Sequence, residues 1–270
     1  MFFICSMRSL SPNFHALRRT LAGLKTAEAS LRTTPLGAAC ADAVLQGGLR
    51  HDALHEIYAG DASQCGAATG FAAGFAARLS GSRDLVWLTT DFCAREYGVL
   101  CASGLVELGI DPSRLLLLRL SNGKDAVRAM ADVLACKAVG AAILEVEGHV
   151  RTLNLNTSRR LSFAAARRDV PAILLRIAAK PEASAAETRW LIHASASPPL
   201  DDDSDFGAPH FRAQLLRNRH GGNGEWRIEW NGNNGLFGST EDRRHSADFV
   251  RLAAAFADGP ASAKAAGITY

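Results

Sequence analysis

The sequence predicts an α/β protein, with a mostly parallel sheet flanked by helices and a C-terminal antiparallel extension. Two observations carry this. Short apolar runs such as LVWLTT (85–90), AAILEV (141–146) and PAILLRI (171–177) alternate with longer segments of helical periodicity. That is the pattern of strands buried on both faces and joined by helical crossovers. Beyond Pro181 the rhythm changes to strand followed by strand, as in EWRIEW (225–230), where Trp226, Ile228 and Trp230 alternate with Glu225, Arg227 and Glu229.

Element by element, residues 8–32 carry Arg8, Arg18, Arg19, Lys25 and Arg32, with Leu17, Leu21 and Leu24 at helical spacing. They predict a basic amphipathic helix. After Gly47-Gly48, LHEIYA (54–59) reads as the first strand. A small-residue loop, 60–70, leads into an alanine-rich helix that ends near Leu79, at Ser80-Gly81. Residues 85–90 form the next strand, and Asp91 is placed to cap a helix running to about Gly109. A third strand covers Leu115 to Leu120, and a helix over 124–138 presents Ala126, Met130, Val133 and Leu134 as its apolar stripe. The fourth strand carries Glu145, and a helix over 155–168 precedes the fifth strand. RWLIHASAS (189–197), FRAQLLR (211–217) and EWRIEW then form the antiparallel part, the last two joined by a glycine-rich hairpin, RHGGNG. The expected organisation is a basic arm over 1–34, a sheet domain over 35–232 and a flexible tail over 233–270.

Composition sets limits on function. The chain has 270 residues and a net charge of +3, which permits contact with nucleic acid without requiring it. Six cysteines, scattered and without a C-x-x-C pair, argue against a disulfide framework or zinc site and for a reducing, cytoplasmic setting. MFFICSM is too short for a signal peptide, with Met7 an alternative start, and no apolar run is long enough to span a membrane.

Strand, glycine-bearing loop and helix follow one another at 54–79 as they do around a phosphate-binding loop. The residues that such a loop needs are missing. With Gly66 at its second glycine, Ala67 stands where lysine belongs and Ala68 where Ser or Thr belongs. Asp61 stands at the first glycine, with Gly60 one residue early. No Lys or Arg occurs between Gly60 and Ala77. Gly60, Ser63, Gly66, Thr69, Asp91 and Glu145 are therefore the candidates for a vestigial nucleotide site, without useful hydrolysis. No cofactor is implied, and residual ATP binding stays open.

Two arginine sets are candidate contacts for DNA or a partner. Arg159, Arg160, Arg167 and Arg168 fall on one side of a helix, and Arg212, Arg217 and Arg219 lie on the antiparallel strands. His51, His55 and Glu56 resemble a metal cluster only superficially, since neighbours on a strand point to opposite faces. No nucleophile elbow or H-E-x-x-H pair is present.

Several separated segments together resemble ImuA-type proteins, a RecA-related group overlapping the SulA-like one. They are LHEIYAG (54–60), TSRRLSFAAARRDVPAILLR (157–176), RWLIHAS (189–195) and FRAQLLRNRHGGNGEWRIEW (211–230), with the basic N-terminus. The resemblance implies a RecA-like fold and a role in SOS-type, DNA-damage-induced mutagenesis and translesion synthesis. The partners it implies are an ImuB-type Y-family polymerase homologue, an error-prone replicative-type polymerase and RecA, with the ImuB contact in the tail. The rival readings are a RecA-like ATPase with an unusual loop, acting on DNA, and a SulA-like inhibitor of cell division.

Overall fold

The computed structural model describes residues 32–197 and 207–239. Its centre is a nine-stranded sheet. Strands β3 (Leu54–Ala59), β4 (Asp84–Thr90), β5 (Leu115–Leu120), β6 (Val139–Glu147), β7 (Ala172–Ile177) and β8 (Thr188–Ser195) are followed by β9 (His210–Asn218), β10 (Gly224–Asn231) and β11 (Leu236–Ser239). They lie in the order β11-β10-β9-β8-β3-β7-β6-β4-β5. The pairs from β8 to β5 are parallel, and those from β8 to β11 are antiparallel. A small antiparallel ribbon, β1 (Thr33–Thr34) with β2 (Leu49–Arg50), lies outside the large sheet.

Helices cover both faces of the parallel part. On one side lies α2 (Cys65–Ser80), with the short α1 (Ala39–Val44), α3 (Asp91–Glu96) and α4 (Ala102–Glu107). On the other lie α5 (Gly123–Val133) and α6 (Leu155–Arg168). Two cores result, separated by the sheet. Phe71, Phe75, Trp190, Trp230 and Phe237 belong to the core under α2, and Met130, Leu144, Leu161 and Leu174 to the core under α5 and α6. β4 and β6 read as continuous apolar runs because both of their faces meet helices. In α5 the stripe Ala126, Val127 and Met130 is buried, and in α6 the stripe Ser158, Leu161 and Ala165.

α2 is built differently. Its alanines and glycines allow it to lie close to the sheet. A Cβ on Gly74 would sit 2.7 Å from the Trp230 ring, far inside van der Waals contact, so the absence of a side chain there sets the helix–sheet distance.

Five boundaries differ from the sequence reading. The expected loop 60–70 is half as long: a single 3-10 turn, Ala62–Gln64, leads straight into α2 at Cys65. Of the small residues there, Ala68 is fully buried in the core, whereas Gly66 is exposed with open space around it. The expected helix 91–109 is two helices, broken around Gly98, whose φ is +87°. The helix expected to reach 138 ends at Val133. The large sheet extends past residue 232, because Leu236–Ser239 adds β11, and ordered structure begins before residue 35, because Thr33–Thr34 pairs with β2 in the separate ribbon. The rest of the expected N-terminal arm and tail, and the acidic stretch Asp201 to Asp205, lie outside the described residues.

Candidate functional site

In a parallel sheet, ligands enter at the carboxyl ends of the strands where neighbouring crossovers diverge. Here β3 leads through α2 to β4, which lies on the far side of β7 and β6. A pocket of about 310 Å³ opens there, over the start of α2. Gly66 and Thr69 come from α2, Glu145 from β6 and Thr89 from β4, with Tyr97 and Leu117 across the opening.

Of the six residues expected at a vestigial nucleotide site, Gly66, Thr69 and Glu145 line this pocket, and Gly60, Ser63 and Asp91 do not. Ser63 is tied to Asp61, which accepts from its backbone N–H at 2.9 Å and from its hydroxyl at 2.5 Å. Asp91 is engaged elsewhere, in a 2.5 Å ion pair with Arg119 of β5. It is not the N-cap of its helix either: Thr90 takes that role, accepting from the Cys93 N–H at 3.2 Å. The sequence reading missed Thr89, Tyr97 and Leu117, since none belongs to a motif and only the strand order brings them together.

The electrostatics of the pocket disfavour a triphosphate. None of its lining residues is Lys or Arg. Glu145 is buried, its carboxylate accepting from the Trp87 indole N–H at 3.0 Å. Burial pushes its carboxyl above the usual range, against the opposing pull of hydrogen bonds from Trp87 and Thr89. A raised carboxylate pKa means that ionised Glu145 costs stability above its unfolded-state value, and the cost grows as pH rises. Glu145→Gln is therefore expected to raise the urea midpoint at pH 7 and to lose that advantage near pH 4. An unchanged or lowered midpoint at pH 7 would overturn this assignment.

His55 and Glu56 are structural. His55 Nε2 donates to the Arg50 carbonyl at 2.9 Å and its Nδ1 meets the Thr188 hydroxyl at 2.8 Å. Glu56 pairs with Arg189 at 2.8 Å, and His51 with Thr34 at 2.6 Å. Each of these groups is held by the protein itself, and no cluster of three metal-ligating side chains occurs among the described residues.

The seven candidate arginines fall into two unlike sets. Arg159, Arg160 and Arg167 stand exposed on α6, with Arg168 half-buried at its end. On β9, Arg212 lies 3.7 Å from Glu225 of the neighbouring strand, and Arg217 donates to the Ser184 carbonyl at 3.0 Å. Arg219 follows β9, its backbone N–H bonded to the Glu187 carbonyl at 2.9 Å. In the second set, Glu225 of the neighbouring strand engages Arg212, and the carbonyl of Ser184, in the segment before β8, engages Arg217.

No helix among the described residues is long and apolar enough to cross a membrane. No family model matches the chain. It is similar to Protein ImuA of Caulobacter vibrioides in two strains, NA1000 / CB15N and ATCC 19089 / CIP 103742 / CB 15. Each is 30% identical over 178 residues, covering 62% of this chain and 67% of the relative. With the nine-stranded α/β sheet in place and the segments of resemblance spread across it, the chain belongs to the ImuA family.

Proposed function

We propose that this protein is a non-enzymatic accessory factor in DNA-damage-induced mutagenesis, recruiting or bridging polymerase-type partners for translesion synthesis. Family membership supplies the process. The observation that carries the non-enzymatic part is the pocket at the carboxyl ends of the strands, which presents a buried carboxylate and no cation. Phosphoryl transfer depends on stabilising charge on the transferred group, and a lysine or a metal held by Ser/Thr and an acid normally provides this. Here Ala67 and Ala68 replace the first two, and Asp91 faces Arg119.

A second feature supports a binding role. β5 forms the outer edge of the sheet, pairing with β4 alone among the described strands, and Leu116 and Leu117 on it are exposed. An uncovered apolar edge strand is a template for a partner's strand.

The test is co-purification with the ImuB-type protein of the same host, using the full chain and a version ending after Ser239. Stopping there keeps β11 and removes only residues 240–270. Association that depends on that segment is the expected result, and no association of the full chain would overturn the accessory role. On the chemical side, ATP hydrolysis by the purified protein should match buffer alone, with or without single-stranded DNA. Turnover that Glu145→Gln abolishes would replace this reading with that of an unusual ATPase.

A further inference from the structure

We propose that the solvent face of α6 is a binding surface for single-stranded nucleic acid, with Phe163 as its stacking residue and Arg159, Arg160 and Arg167 as its phosphate contacts. Phe163 is 71% exposed, the most exposed large apolar side chain among the described residues, so its ring is free to meet a ligand. It lies four residues after Arg159, three after Arg160 and four before Arg167, so helical geometry puts all four side chains on one stripe. The opposite face of the helix, Ser158, Leu161 and Ala165, is buried against the sheet, and this fixes the stripe toward solvent.

The charge on this face is unbalanced. Among the described residues, no acid lies within ion-pair distance of Arg159, Arg160, Arg167 or Arg168. Arg212 and Arg119, by contrast, each face a carboxylate. Uncompensated guanidinium groups favour an anionic partner, and their planar donors match phosphate oxygens. The adjacent helix α5 carries exposed Lys124, Arg128 and Asp132, with Asp125 accepting from Asn122, so the unbalanced charge belongs to α6.

Phe163 decides which anion is favoured. Arginines flank it on both sides along the helix, so the face is an isolated ring among charges and not a continuous apolar row. An acidic amphipathic peptide would need such a row to bury its own side chains. An isolated ring between cations suits unpaired bases, which stack one at a time while their phosphates meet the arginines. In a duplex the base faces are already stacked on each other, so Phe163 has nothing to add there.

This inference does not rest on the accessory reading, and its test is separate from it. The full-length protein is titrated into a fluorescein-labelled oligothymidylate and into a duplex of equal length, with fluorescence anisotropy read at several salt concentrations. Phe163→Ala is expected to weaken the single strand about 5- to 150-fold with the salt slope unchanged, and Phe163→Trp to restore it. Arg159→Ala with Arg160→Ala is expected to lower the magnitude of the slope by about 1.4. All these residues are exposed, and thermal melts check that the variants remain folded. The proposal is overturned if the single strand does not bind at low salt. It is also overturned if Phe163→Ala binds like the parent, or if α6 variants lose only the ImuB-type partner, which would make the face a protein interface.

Discussion

Replacing Arg189 by Met should destabilise the protein by about 3–5 kcal/mol, seen as a large fall in the urea midpoint without a change in slope. Its guanidinium lies 2.8 Å from the carboxylate of Glu56, whose side chain is 2% exposed. The same guanidinium also donates to the Ser184 hydroxyl at 2.9 Å. Removing it leaves a carboxylate in the sheet interior without its partner. A second variant separates lost pairing from lost packing: Glu56→Gln added to Arg189→Met should recover most of the stability. If it does not, the packing of the long side chain matters more than its charge. Against the total of about 5–15 kcal/mol typical of a domain, either outcome is easily measured.

Acid should remove a comparable amount through one histidine. The His55 ring is fully buried, and burial is the main cause that pushes its pKa down to about 4. The hydrogen bonds fix its tautomer. The Arg50 carbonyl only accepts, so Nε2 carries the proton. Nδ1 accepts from the Thr188 hydroxyl, whose oxygen in turn accepts from the Trp190 indole at 3.0 Å. A second ring proton would force the Thr188 hydroxyl to turn its own hydrogen away and would put a charge in a fully buried site. The folded state therefore binds fewer protons than the unfolded chain, whose histidine titrates near 6.5. Stability contributed by neutral His55 is intact above about pH 6.5 and is lost as pH falls to about 4, by roughly 3 kcal/mol over that window. Urea melts at pH 7 and pH 5 should show this slope in the parent and a shallower one in His55→Gln. Equal slopes in the two proteins would remove His55 as the cause.

The sheet's strands were legible because each crossover fold needs runs that are apolar on both faces, and β4, β6 and β7 show such runs directly. Less legible was β3. Its alternation of Leu54, Glu56 and Tyr58 with His55, Ile57 and Ala59 suggests one wet face, yet all six are buried. Glu56 and His55 are tolerated there because β8 supplies Arg189 and Thr188, which lie more than a hundred residues away in sequence. The start of α2 was hard to read for a related reason. Gly70, the end of the expected loop, lies inside the helix, where a Cβ would meet the Phe211 ring of the antiparallel strands at 3.8 Å.

β11 was hidden in a polar, glycine-rich stretch in which only Phe237 signals burial, its ring 4.8 Å from that of Trp230. At the candidate site, Gly66, Thr69 and Glu145 are legible from motif position, whereas Thr89 and Leu117 depend on the strand order. The arginine stripe of α6 could be read from spacing alone. The exposure of Phe163 could not, since a phenylalanine within a helix is ordinarily a core residue.

The contact at Gly74 also has a mechanical consequence. α2 packs against β3, β6 and β7 of the parallel part and also against β8 and β11, with the Trp230 ring resting on its backbone at Gly74. A hinge between the two parts of the sheet would have to slide that ring off the helix and open the aromatic cluster beneath it. The parallel and antiparallel strands are thus clamped into a single rigid plate. The edge strands β5 and β11, at opposite ends of the sheet order, therefore keep a fixed separation and orientation.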